Sequence, residues 1–156
     1  MLFFVMLYLD LVSPVGGTTV WTSLTSQGAL TWFFCTCRMG DVNAQAELET
    51  SLYNKTVRTN ARGEAEIIMM DECISVYKFV GDLMFYVLGD VDENEILLAD
   101  VLMGFCDSIT LLLRNAVEKK TVLENLDLVL LAMDEITEGG LILETDPAII
   151  ATRVTM

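Results

Sequence analysis

The chain has 156 residues, enough for one domain with a real hydrophobic core, and 53% of them are hydrophobic, which excludes a disordered polymer. Its formal net charge is −14, from 23 acidic and 9 basic residues, which argues against nucleic acid and anionic membrane surfaces as direct partners and favours a basic protein surface. Histidine is absent, so the usual general base, every Ser/His or Cys/His nucleophile pair and every Cys₂His₂ zinc site are excluded.

The charge is unevenly placed: between Met1 and Gly40 only Asp10 and Arg38 are charged, so the whole excess lies in Asp41 to Met156. Residues 1–40 form an atypical segment and residues 41–156 a differently composed core, read together as a single domain. Leu2 to Val12 is apolar but interrupted by Asp10, lacks a basic lead-in and is too short to span a bilayer, so it reads as a buried strand. Val15-Gly16-Gly17 turns the chain into a second strand, Thr18 to Leu24, and Leu30 to Cys37 reads as a third short strand or an exposed apolar segment. Ala44, Leu48, Leu52 and Tyr53 have helical spacing behind a cap at Asp41 or Asn43, which gives a first helix over Asn43 to Lys55. Asn54-Lys55-Thr56 matches a glycosylation sequon, read as a chance match in a chain of intracellular character.

Three β-branched and aromatic runs follow, Glu64 to Met70, Ile74 to Phe79 and Leu83 to Leu88. The connections, Asp71-Glu72 and Gly81-Asp82, are too short for anything but antiparallel hairpins. Glu95 to Arg114 is a long helix, apolar over most of its circumference, with Asp100, Gly104, Asp107 and Arg114 near one line. Such a helix must be covered on most sides, and its roughly ten large apolar residues at about 1.5–3 kcal/mol each make its burial a major stabilising term. Asp92 and Glu95 have the spacing of a capping box. A second long helix, Val117 to Thr137, carries the core stripe Val122, Leu126, Val129, Met133 and Ile136 and stops at Gly139-Gly140. Leu141 to Leu143 is extended, and Thr145 or Asp146 caps a last helix with Pro147 at its first position. Strands first and helices last give an α+β fold with helices packed on a mostly antiparallel sheet.

Little in this inventory points to chemistry. Cys35 and Cys37 lack redox spacing, and Cys73 and Cys106 read as small hydrophobes in a reducing compartment. Asp90-Val91-Asp92-Glu93-Asn94-Glu95 begins like a calcium loop but has Glu95 where the loop needs glycine and Val101 where it needs glutamate, so it reads as an acidic helix start. Asp127 and Asp134 read as helix surface.

From Ala44 onward a series of motifs appears: Asn54-Lys55-Thr56 through Thr59-Asn60-Ala61-Arg62, Val76-Tyr77-Lys78-Phe79, Asp92-Glu93-Asn94-Glu95, Leu111-Leu112-Leu113-Arg114-Asn115, Val117-Glu118-Lys119, Leu123-Glu124-Asn125-Leu126-Asp127, and Asp134-Glu135 through Leu143-Glu144-Thr145-Asp146-Pro147. In this order they resemble the coatomer zeta branch of the longin-fold adaptor small chains, with Asn60 to Glu66 closest to plant members. The resemblance implies a five-stranded longin-like sheet in the order β-β-α-β-β-β-α-α-α. It also implies a non-catalytic small subunit, without cofactor or metal, cradled by the gamma-subunit trunk of the heptameric coat. An Arf-type GTPase recruits that coat to the cytosolic face of Golgi membranes for Golgi-to-ER and intra-Golgi transport, so the expected place is the cytoplasm, peripheral on Golgi membranes and coated vesicles. The nearest alternative is a sigma-type small chain of a clathrin adaptor. A secreted or anchored protein led by residues 1–12 and a carboxylate enzyme are the readings from other classes. The chain departs from the family at Thr18 to Arg38, which matches no family motif, and it ends before the helical tail with which the family continues. On the resemblance, Leu97, Leu98, Val101, Leu102, Phe105 and Ile109 are expected to be shared between sheet packing and partner packing.

Overall fold

The computed structural model describes residues 4–10, 22–24, 29–35, 42–59, 61–70, 73–138 and 141–156. Its main sheet is built from β1 (Phe4–Asp10), β2 (Thr22–Leu24), β3 (Ala29–Cys35), β4 (Glu66–Met69), β5 (Cys73–Val80) and β6 (Leu83–Asp90), in the spatial order β2-β3-β1-β6-β5-β4 with every neighbouring pair antiparallel. The class is the α+β fold expected, but among the described residues the sheet has six strands where five were expected. The additional one is β3, the run whose reading was open between strand and exposed segment; it pairs with β1 along its whole length and separates β1 from β2. The turns expected at Val15-Gly16-Gly17 and Asp71-Glu72 lie outside the described residues, as does the Gly139-Gly140 stop.

Two layers of helix cover the sheet. Side-chain alternation along β5 and β6 sends successive residues to opposite faces. Tyr77, Met84, Tyr86 and Leu88 meet Leu52 of α1 (Val42–Thr56) on one face. Ile74, Val76, Leu83, Phe85 and Val87 meet the remaining helices on the other. Because both faces are covered, β6 is buried from Leu83 to Gly89 and reads as a continuous apolar run. Tyr77 and Tyr86 stack with ring centroids 5.7 Å apart on the α1 side, and Phe85 meets Phe105 edge-on at 5.7 Å on the other. Thr56 closes the α1 layer: its hydroxyl is fully buried, donates to the Leu52 carbonyl at 2.8 Å and bonds the Tyr86 hydroxyl.

The helix after β6, α2 (Glu95–Leu112), starts from Asn94, whose side chain accepts from the Ile96 N–H at 2.9 Å. The expected Asp92/Glu95 box is therefore replaced by a cap two residues later, because the Asp90 carbonyl already accepts from the Glu93 N–H and turns the chain there. The expected second long helix is two helices, α3 (Lys119–Glu124) and α4 (Leu126–Ile136), broken at Asn125. The Thr121 carbonyl accepts both the Asn125 N–H at 3.1 Å and the Asn125 side chain at 2.8 Å, and the Asn125 backbone leaves helical geometry at φ −123°, ψ 37°. Most of the core stripe survives the break: Val122, Val129, Met133 and Ile136 are buried and Ala132 joins them, whereas Leu126, next to the break, is half-buried. A two-stranded ribbon, β7 (Thr137–Glu138) with β8 (Leu141–Ile142), leads to α5 (Pro147–Val154). Asp146 caps α5, accepting from Ala148 at 2.9 Å and Ile149 at 3.1 Å, with Pro147 at the first turn. No helix among the described residues is long and apolar enough to cross a membrane.

Candidate functional site

Helix α2 is where the sequence placed a shared interface, and its two sides have different fates. Leu98, Val101, Leu102, Phe105 and Ile109 fall at steps of three and four and form one stripe on the sheet, each at most 1% exposed. They pack with Val76, Phe85 and Val87 from the sheet and with Val129, Met133 and Ile150 from α4 and α5. Five of the six residues expected to be shared with a partner are thus enclosed by this chain alone. Leu97 keeps 37% of its surface, beside Ile96 at 67%, and Leu111 is exposed at the other end. With the exposed Asp100 and Asp107 these three make the outer stripe of the helix.

Gly104 lies on that face between Asp100 and Asp107, as the sequence placed it, but it is covered and interrupts the stripe. It is buried because the chain before α5 crosses α2 there: a Cβ built on Gly104 would lie 2.4 Å from the Thr145 carbonyl oxygen. That close approach brings α5 onto α2, with Ile150 fully buried between α2 and α4. At the rim, Arg153 of α5 bonds Glu135 of α4 at 3.4 Å and approaches Glu144 at 3.8 Å. The pair is half exposed and contributes about 1 kcal/mol at most, so the apolar contacts decide the packing.

The titratable groups do not form a reacting constellation. Burial pushes the Cys106 thiol up to about 12, with Lys78 opposing, so the sulfur stays protonated inside the helix layer. Burial, then the Glu66 carboxylate 2.6 Å away, raises Tyr77 above its ordinary value. Asp92, Asp127 and Asp134 are exposed. Among the described residues no three Cys, Asp or Glu side chains gather into a metal-binding group. What the geometry offers is surface: the outer face of α2, the edge of β4, unpaired among the described residues, with Ile67 and Met69 exposed, and Leu141 and Leu143 at and after β8. Sequence reading missed β4 as a surface, because Glu66-Ile67-Ile68-Met69 is apolar at successive positions and does not show which side is left uncovered.

The family model for clathrin adaptor complex small chains matches residues 23–156. The chain is 50% identical over 114 residues to coatomer subunit zeta-1 of Oryza sativa subsp. japonica, covering 73% of this chain and 64% of the relative. It is 52% identical over 113 residues to coatomer subunit zeta-2 of Arabidopsis thaliana (72% and 63%), and 43% identical over 115 residues to coatomer subunit zeta-1 of Homo sapiens (74% and 63%). The chain thus spans a little under two thirds of the length of these curated relatives. In three dimensions it is similar to a chain of a homology model of the full-length AP-3 complex in a stretched open conformation. That similarity has a TM-score of 0.66 at 17% identity, over 99% of this chain and 92% of the other, and it bears on the fold.

Proposed function

This chain belongs to the family of clathrin adaptor complex small chains, and on that premise we propose that it serves as a zeta-type small subunit of the coatomer coat, without catalysis of its own. The observation that carries the reading is identity near 50% to plant zeta subunits over 111–114 residues. In this reading the chain pairs with the trunk of the gamma subunit within the heptameric coat. It meets the Arf-type GTPase only through that coat and works at the cytosolic face of Golgi membranes in Golgi-to-ER and intra-Golgi transport. The structure supports a scaffold role because its buried residues pack as two apolar layers on one sheet, with the outer stripe of α2 left to meet a large chain. Of the six residues expected at the interface, Leu97 is the one we retain as a contact, with Ile96 and Leu111 joining it. Burial of the other five in the intramolecular core makes them supports of that face.

Affinity purification of the tagged chain from plant cells separates this reading from its nearest alternative. Recovery of the gamma and other coatomer subunits is the expected result. Recovery of clathrin-adaptor large chains in their place would establish a sigma-type chain and overturn the zeta reading.

A further inference from the structure

The segment that joins α2 to α4 is built as a strap, with a hinge at each end and a latch between them. At the first hinge α2 ends in a Schellman-type turn: the Asn115 N–H donates to the Thr110 carbonyl at 2.8 Å and the Arg114 N–H to the Leu111 carbonyl at 3.2 Å. That turn needs left-handed backbone, which glycine ordinarily supplies at little cost. Here two side-chain-bearing residues adopt it in succession, Arg114 at φ 53° and Asn115 at φ 64°. Such backbone is strained and persists only where its surroundings hold it. At the second hinge Asn125 stands between α3 and α4 at φ −123°, ψ 37°, and among the described residues its side chain makes no cap bond to α4.

Between the hinges, α3 has six residues, too few to be stable by itself. Its N-cap residue, Glu118, makes no side-chain bond to the helix start among the described residues. That bond comes from the turn between β5 and β6: the exposed Asp82 carboxylate accepts from the Lys119 N–H at 2.9 Å. Beside it Gly81, at φ 63°, lets the same turn reach the strap's backbone, since a Cβ there would lie 2.4 Å from the Val117 carbonyl oxygen. Val117 and Val122 are buried and enter the α2-side core, with Leu123 half-buried beside them. Arg114, Asn115, Ala116, Glu118, Lys120 and Glu124 are exposed. A few apolar anchors and one exposed side-chain bond thus hold the strap down against strained backbone.

We propose that residues 114–125 open and close as one unit while the sheet, α2 and α4 stay folded. The unit pivots at Arg114–Asn115 and at Asn125, and the Asp82 carboxylate is its latch. Closed, it holds left-handed backbone that relaxes on opening. Open, it uncovers the end of the α2-side core that Val117 and Val122 seal. Segments with few buried anchors sit at the low end of a protein's opening free energies, from which lids and binding loops are drawn. The device goes beyond the scaffold role and does not depend on it.

Native-state hydrogen exchange of the full chain, read by NMR over a series of low urea concentrations, tests this. The amides of Val122 and Asn125, which bond the Glu118 and Thr121 carbonyls, are expected to exchange through one shared opening with one urea dependence. Their protection should be at least about a hundredfold below that of Leu102 and Phe105 in α2. Asp82→Ala should speed exchange at Val122 and Asn125 about fivefold, whereas Asp82→Asn, which keeps an acceptor in place, should stay within about twofold of the wild-type chain. Arg114→Gly relieves the left-handed strain and should slow the same amides about threefold. The proposal is overturned if Val122 and Asn125 open no more readily than Leu102 and Phe105, or if each follows its own urea dependence. It is also overturned if Asp82→Ala leaves their exchange unchanged, or if Arg114→Gly fails to slow it.

Discussion

Replacing Gly104 with alanine sets helix propensity against packing, and the structure fixes which wins. In an exposed helix the change stabilises by about 1 kcal/mol. Here the new methyl group would lie 2.4 Å from the Thr145 carbonyl oxygen and 3.2 Å from its carbon. Ordinary contact needs roughly 1 Å more, and the obstacle is backbone, which cannot rotate away as a side chain does. The segment ahead of α5 must therefore shift, loosening Ile150, whose full burial is itself worth about 1.5–3 kcal/mol. Overpacking of this kind costs on the order of 2–4 kcal/mol in total, so the net change is a loss of about 1–3 kcal/mol. For a chain of this size that lowers the Tm by roughly 3–10 °C. Gly63→Ala is the control, since nothing lies within 4 Å of its added Cβ; it should change stability by less than about 0.5 kcal/mol. Thermal unfolding followed by far-UV circular dichroism reads both variants. An unchanged or raised Tm for Gly104→Ala would refute the close crossing of Thr145 over α2.

Ser75→Ala should stabilise the chain by about 1 kcal/mol in urea unfolding, because the buried Ser75 hydroxyl has no hydrogen-bond partner among the described residues and alanine removes its desolvation cost. Above pH 9 the folded state holds the Cys106 proton that the unfolded chain releases, so stability falls as pH rises from about 9 toward 12, by up to about 1.4 kcal/mol per unit. Urea midpoints at pH 8 and pH 10 should therefore differ, and Cys106→Ala should reduce the difference; an identical difference in the variant would place the thiol outside the core. Leu97→Asp should leave the Tm within a few degrees and weaken the proposed pairing with the gamma trunk, whereas Leu102→Ala should cost about 2–5 kcal/mol in urea unfolding because Leu102 is fully buried.

The meander and α2 were legible because each has one strong period over a long run: β5 and β6 alternate or are continuously apolar, and α2 repeats its stripe for eighteen residues. The Asp146–Pro147 start of α5 was legible from local chemistry. What escaped the sequence depended on competition between neighbours or on distant parts of the chain. Asn94 and Asp92 are both good caps, and the Glu93 N–H to Asp90 carbonyl bond decided between them. Asn125 sits inside an unbroken apolar period, and the helix breaks where its backbone leaves helical geometry. The β3 run gave a strand composition without saying where it would pair. The six interface residues were chosen from the excess apolarity of α2, which is real. Sequence cannot say whether the second cover comes from a partner or from α4 and α5 of the same chain, and here those helices return to enclose five of the six.

Isothermal titration of this chain with a purified coatomer gamma trunk, beside coatomer subunit zeta-2 of Arabidopsis thaliana as a reference, tests the central proposal most directly. A one-to-one complex with Kd tighter than about 1 μM is the predicted result. Absence of heat and of co-elution under conditions where the reference binds would contradict the account.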